Sequence, residues 1–143
     1  MNQEVKLKHL EFIQNVITRM NHCSFLIKGW SITLVSALFA FAAKDVDSRF
    51  VLVAYFPAFV FWVLDGFFLD QERRYRELYN LVIQDSPEVD SLEMNTTKIK
   101  SIKGSWLGAI FSNTLLIFHG IVVLMILLVM FGFLLNPTHN PVK

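Results

Sequence analysis

Three apolar stretches, roughly Phe25–Ala43, Phe50–Leu69 and Trp106–Leu135, leave a chain of 143 residues few folds to adopt. The second, FVLVAYFPAFVFWVLDGFFL, carries one charge, Asp65, near its end. The third, WLGAIFSNTLLIFHGIVVLMILLVMFGFLL, has no Asp, Glu, Lys or Arg. Bilayer hydrocarbon is about 30 Å thick, which ~20 helical residues cross. A water-soluble fold of this size has too little interior to hide three such runs. The residues are 54% hydrophobic, with 14 phenylalanines. The expected fold is all-α: a polytopic membrane protein with three transmembrane helices and a cytoplasmic antiparallel helical hairpin.

The basic residues give the expected orientation. Lys6, Lys8, Arg19 and Lys28 precede or open the first span, and Lys44 and Arg49 lie between the first and second. Arg73, Arg74, Arg76, Lys98, Lys100 and Lys103 lie between the second and third, and Lys143 follows the third. Three crossings put ten basic residues on one side and three on the other. The positive-inside rule assigns the ten to the cytoplasm. The N-terminus is therefore expected inside and the C-terminus outside. The first 24 residues carry charges throughout and lack an apolar signal core, so the first span is expected to act as the insertion signal.

Between the spans, helical periodicity continues, and the whole chain reads as a single membrane domain. Residues 3–28 read as an amphipathic helix: Leu10, Ile13, Ile17 and Met20 recur at helical spacing, opposite Lys8, Glu11, Asn15, Arg19 and His22. It should run directly into span one, 25–43. Within that span Gly29, Ser31, Ser36, Ala37 and Ala40 are small, and Ser36 and Ala40 have a small-xxx-small spacing. Span two, 50–69, contains Pro57, which removes a backbone donor and favours a kink. It is expected to continue as one helix to Ile83, because Tyr75, Leu78, Tyr79 and Val82 form an i, i+3, i+4, i+7 stripe over the extension 70–84. The two stripes should pack as the cytoplasmic hairpin. Residues 85–104 form a polar linker, in which Ser86-Pro87-Glu88 resembles a helix start. Within span three, 106–135, residues Trp106 to Asn113 are expected in the interface, with the crossing near Thr114–Leu135.

Few residues could carry chemistry. Lys28 and Asp65 are expected at similar depth on adjacent helices, as an intramembrane polar pair. Charges in hydrocarbon are costly and tend to pair inward. Such a pair fixes helix register; its functional alternative is the polar lining of a pore vestibule. Asn113 and His119 are expected to make polar contacts between helices. Arg73, Arg74, Tyr75, Arg76 and Tyr79 form a basic, aromatic patch suited to interaction through charge-assisted bonds and stacking. Its plain alternative is a positive flank with Glu72 and Glu77 pairing along the helix. Cys23 is the only cysteine, which excludes an internal disulfide. His9, His22 and His139 have no metal-ligand spacing, and there is no Gly-rich phosphate loop, GxSxG or HExxH. No enzyme activity, cofactor, metal or nucleic-acid partner is expected.

The stretches SFLIKGWSITLVSALFAFAAKD, FWVLDGFFLDQERRYRELY and SLEMNTTKIKSIKGSWLGAIFSNTLLIFHG resemble a group of small bacterial three-span membrane proteins. KGW and the pattern LDxxFLxQERxYRxLY carry the likeness, which covers nearly the whole chain. More loosely, the chain resembles SLATT-type membrane modules, from which it departs in its third span. The resemblance implies an oligomeric, pore-forming effector of an antiphage or conflict system, with a cytosolic sensor or signalling protein as partner. The alternative is a membrane anchor or regulatory subunit that docks a cytosolic protein through its hairpin. A small-ion carrier fits less well, because only Asp65, Lys28 and His119 could serve it.

Overall fold

The computed structural model describes residues 2–45, 49–87, 89–97 and 105–135, with backbone alone at Lys44, Asp45, Phe50, Phe133 and Leu134. Among these residues five helices follow in order: α1 (Gln3–Asp45), α2 (Arg49–Val53), α3 (Tyr55–Ile83), α4 (Trp106–Ile110) and α5 (Asn113–Leu135). No strand occurs among the described residues. Three helical stretches, Gln3–Ala43, Val51–Ile83 and Asn113–Gly132, are long and apolar enough to cross a membrane. The middle of the short loop, the basic half of the linker with Lys98, Lys100 and Lys103, and the tail from Asn136 lie outside the described residues.

α1 is continuous for 43 residues, about 65 Å at 1.5 Å per residue. No proline interrupts it, and Glu4 sits in its first turn, where a negative charge complements the helix dipole. The second apolar stretch behaves otherwise. One helix from Phe50 was expected, yet the chain breaks into α2 and α3 at Ala54. Pro57 explains the position. A proline ring clashes with the carbonyl four residues earlier, here that of Val53, and donates nothing to it. The turn instead closes through Ala54 N–H on Val51 O at 3.2 Å, and the ladder resumes with Ala58 N–H on Ala54 O at 3.3 Å.

The chain divides into two compact units. The first comprises the residues up to Phe25 and those from Gly66 to Phe111. In it the start of α1 and the end of α3 lie antiparallel. Ile13 and Ile17 meet Leu78 and Val82, all buried, with Leu10, Tyr75 and Tyr79 around them. A fully buried Ile or Leu side chain contributes roughly 1.5–3 kcal/mol, so these four account for much of the unit's cohesion. α3 ends in a Schellman closure: Ser86 N–H reaches Leu81 O at 3.0 Å and Asp85 N–H reaches Val82 O at 3.3 Å. Asp85 takes the left-handed position, φ 49°. Lys6 binds both the Ile83 carbonyl at 2.8 Å and Asp85 Oδ2 at 2.6 Å. That hydrogen bond holds the exposed Asp85 carboxyl below its ordinary value.

The stretch after α3 corrects the expected helix start. Ser86 and Pro87 lie in a turn, and the described residues from 89 to 97 form bends, turns and irregular backbone with no helix; Glu88 lies outside them. The closure at Asp85 has already turned the chain away, and the segment folds back onto the helix pair instead. In the same unit Ala109 and Ile110 of α4 are buried, and Ile110 packs directly on Gly66. Leu107 and Phe111 face outward.

The second unit comprises Leu26 to Asp65 and the residues from Ser112 onward. Its core joins Val35 and Ala42 of α1, Val51 of α2, Ala54, Ala58 of α3, and Val122 and Ile126 of α5. The outward positions are large and apolar: Phe56, Phe59, Ile117, Ile121, Leu128 and Phe131 are all more than half exposed. In water such a surface is unfavourable; against lipid it carries no penalty.

Candidate functional site

The second unit holds a buried ionic cluster. Asp65, in the middle of α3, is completely inaccessible. Its Oδ2 lies 2.6 Å from Lys28 Nζ of α1 and 3.0 Å from His119 Nε2 of α5. One carboxylate oxygen thus ties three helices. Lys28 reaches it with a side chain that is 21% exposed, while His119 is 1% exposed. A carboxylate accepts, so Nε2 carries the hydrogen toward it. His119 Nδ1 is then the far nitrogen, buried and without a hydrogen bond among the described residues.

Aromatic rings fix the imidazole from two sides. Trp62 stacks on His119 at 5.7 Å between centroids with planes 8° apart, and Phe118 meets it edge-on at 5.1 Å. The Lys28 ammonium also lies 5.8 Å above the Phe118 ring, within cation–π range. Trp62 was not among the residues expected here. It precedes Asp65 by three, so both lie on one face of α3, and that spacing was the available signal.

This geometry suits register better than turnover. An unpaired buried carboxylate costs several kcal/mol, and two donors on one oxygen offset that cost only if all three helices hold their positions. The described residues contain no group of three metal-ligating side chains. Two further buried hydroxyls in this unit, Ser31 Oγ and Ser112 Oγ, have no hydrogen bond among the described residues. Asn113 is not drawn into the cluster: it opens α5 with its side chain exposed.

The basic, aromatic patch is in the first unit, and most of it is already engaged. Arg74 Nε is 2.8 Å from Asp70 Oδ2, and Arg76 Nε pairs with Glu72 Oε1, both one turn back on α3. Tyr75 and Tyr79 pack on the core between α1 and α3. Tyr75 OH donates to the Met94 carbonyl at 3.4 Å. Neither tyrosine is an open stacking face, and Arg73 is half-buried on the same helix.

His9, which has no metal-ligand spacing, is fully buried and binds Glu93 O through Nε2 at 2.8 Å. Its place four residues before Ile13 and eight before Ile17 puts it on the buried stripe of α1.

Comparison with known proteins gave no matching family model, curated protein or solved structure.

Proposed function

We propose that the chain is a non-enzymatic three-span protein of the bacterial inner membrane that assembles in several copies and permeabilises that membrane as an effector. The observation that carries this reading is the free face of α1. Gly29, Ser36, Ala37 and Ala40 are exposed and share one stripe, opposite the buried stripe of Ser31, Val35 and Ala42. Nothing lies within 4 Å of a Cβ built on Gly29. In lipid, small residues are favoured where helices approach closely, because hydrophobic burial gives no drive there. The interior of the second unit is filled by its apolar core and the ionic cluster, so a conducting path must form between copies. Symmetric assembly about a shared axis supplies one.

The bulky double variant Gly29→Leu with Ala40→Leu tests the reading. It should fold, shift the protein to monomers on native gels in mild detergent, and abolish dye entry into cells that overexpress it. A wild-type protein that is monomeric at native expression, and neither admits dye nor depolarises cells, overturns the effector reading. A cytosolic protein co-purifying with that monomer would favour the anchor alternative.

A further inference from the structure

The cluster around Asp65 gathers more potential cations than its one negative charge can hold. Lys28 Nζ and His119 Nε2 both end on the same carboxylate oxygen, Oδ2, at 2.6 Å and 3.0 Å. With a neutral imidazole, Lys28 and Asp65 balance, and the site has no net charge. A further proton, on His119 Nδ1, would leave one positive charge unbalanced in a buried place, which is costly. No other described group of this unit is placed to offset it. α5 has no second titratable residue. Lys44 and Asp45 of α1, Arg49 of α2 and Tyr55 of α3 stand ten or more residues from the cluster members of their helices, at least about 15 Å of helix rise. The two cations are not equivalent. His119 is buried and clamped by the rings of Trp62 and Phe118. The Lys28 side chain already reaches the surface, and its flexible stem can carry the ammonium outward. Three buried polar atoms here, His119 Nδ1, Ser31 Oγ and Ser112 Oγ, have no hydrogen bond among the described residues. Ser31 follows Lys28 by three residues and Ser112 precedes His119 by seven, so each shares a helix face with its cluster residue. Unused hydrogen-bonding capacity in a buried site calls for a cause.

We propose that the cluster is a binding site for one exchangeable proton, which on His119 Nδ1 makes the imidazolium the counter-ion of Asp65 and lets Lys28 withdraw. The proton comes from water at the Lys28 edge, the exposed side of the site. One N–H bond forms at Nδ1, the Lys28–Asp65 hydrogen bond breaks, and the buried site again has no net charge. Both arrangements give the carboxylate a cation, so proton concentration sets the balance between two states. In the first, one oxygen ties α1, α3 and α5. In the second it ties α3 and α5, and α1 is no longer held at this point. Proton binding thus acts on α1 whatever its outer face meets, and does not depend on assembly.

Trp62, stacked on His119, is a built-in reporter. A protonated imidazole against an indole quenches its fluorescence, and a neutral one does so far less. Of the three tryptophans, Trp62 alone remains in full-length protein carrying Trp30→Phe and Trp106→Phe. In micelles its emission should fall at least about twofold between about pH 8 and about pH 5.5, within the range where histidine changes charge. Lys28→Met in this background should already be quenched at the higher pH, because the carboxylate left without its lysine draws the proton. His119→Phe should make the emission independent of pH. Displacement of Lys28 is read by denaturant unfolding. Lys28→Met should raise the unfolding constant over wild type most at the higher pH, and the ratio should narrow at least about tenfold at the lower, where the proton replaces the lost cation. Adding His119→Phe to both proteins should abolish that narrowing. If Lys28→Met lacks a helical circular dichroism spectrum, Lys28→Gln, an uncharged donor, takes its place in both measurements. A Trp62 signal that stays flat in the parent and in the Lys28 variant overturns the proton site. A pH response that survives His119→Phe puts the proton on another group, Asp65 itself, and overturns the assignment to His119. Quenching with an unchanged Lys28→Met ratio shows a proton bound without displacing Lys28, and overturns the exchange.

Discussion

Replacing Lys28 with methionine should lower the unfolding free energy by about 3–5 kcal/mol, more than any other single change at the cluster. The reason is asymmetric exposure. Asp65 has no access to solvent, whereas the Lys28 side chain is 21% exposed. Removing the lysine takes the positive charge from a buried carboxylate and leaves it the His119 Nε2–H bond. Removing the carboxylate, as in Asp65→Asn, leaves an ammonium whose long stem can carry it toward water. Asp65→Asn should therefore cost less, and the double variant should recover part of the Lys28→Met loss. His119→Phe keeps a ring against Trp62 but gives up the donor, for a cost of about 1–3 kcal/mol. Denaturant unfolding in micelles gives the four corners of the cycle. Strictly additive Lys28 and Asp65 effects would show that the contact contributes nothing.

Gly66→Leu should be the second severe change. A Cβ on Gly66 would collide with Ile110 Cγ1 and lie 3.1 Å from Ile110 Cα. A rotamer change can move the first atom, but not the second. Alanine should already cost about 1–3 kcal/mol by overpacking, and leucine should lift α4 from α3. Ile110→Ala should rescue Gly66→Ala only in part, because the backbone of residue 110 stays where it is. Gly120→Ala is the control: nothing lies within 4 Å there, and alanine is the better helix former by about 1 kcal/mol. Thermal unfolding, with fluorescence of Trp106 on α4 as a local probe, separates the two sites. Equal effects at Gly66 and Gly120 would mean that α4 does not pack on α3.

What could be read in the sequence follows from what side chains encode. The long helices were legible because apolar runs of this length have few alternatives. The helix pair was legible from the spacing of Leu10, Ile13, Ile17, Tyr75, Leu78 and Val82. Lys28 and Asp65 could be brought together by depth alone. His119 could be placed near that depth as a polar contact between helices, but its aim at Asp65 was not fixed, because the rotation of α5 about its axis is not set by a run that is apolar on every side. Pro57 announced a disturbance, but its consequence falls at Ala54, near the carbonyl the ring displaces. For the basic patch the sequence offered both an interaction surface and pairing along the helix; Asp70 and Glu72 stand four residues before Arg74 and Arg76 and engage them. The segment 86–97 was illegible for a deeper reason. Its carbonyl groups make the contacts, and every residue has a carbonyl.

Three crossings, with the helix pair inside the cell, are the premise of the effector proposal. The most direct measurement places a reporter active only in the periplasm after Lys143 and, separately, at Ser91. The predicted result is an active fusion after Lys143 and a silent one at Ser91, as the ten-to-three distribution of basic residues requires. An active reporter at Ser91 with a silent one after Lys143 would invert the orientation, and two active or two silent reporters would contradict the three-span topology itself.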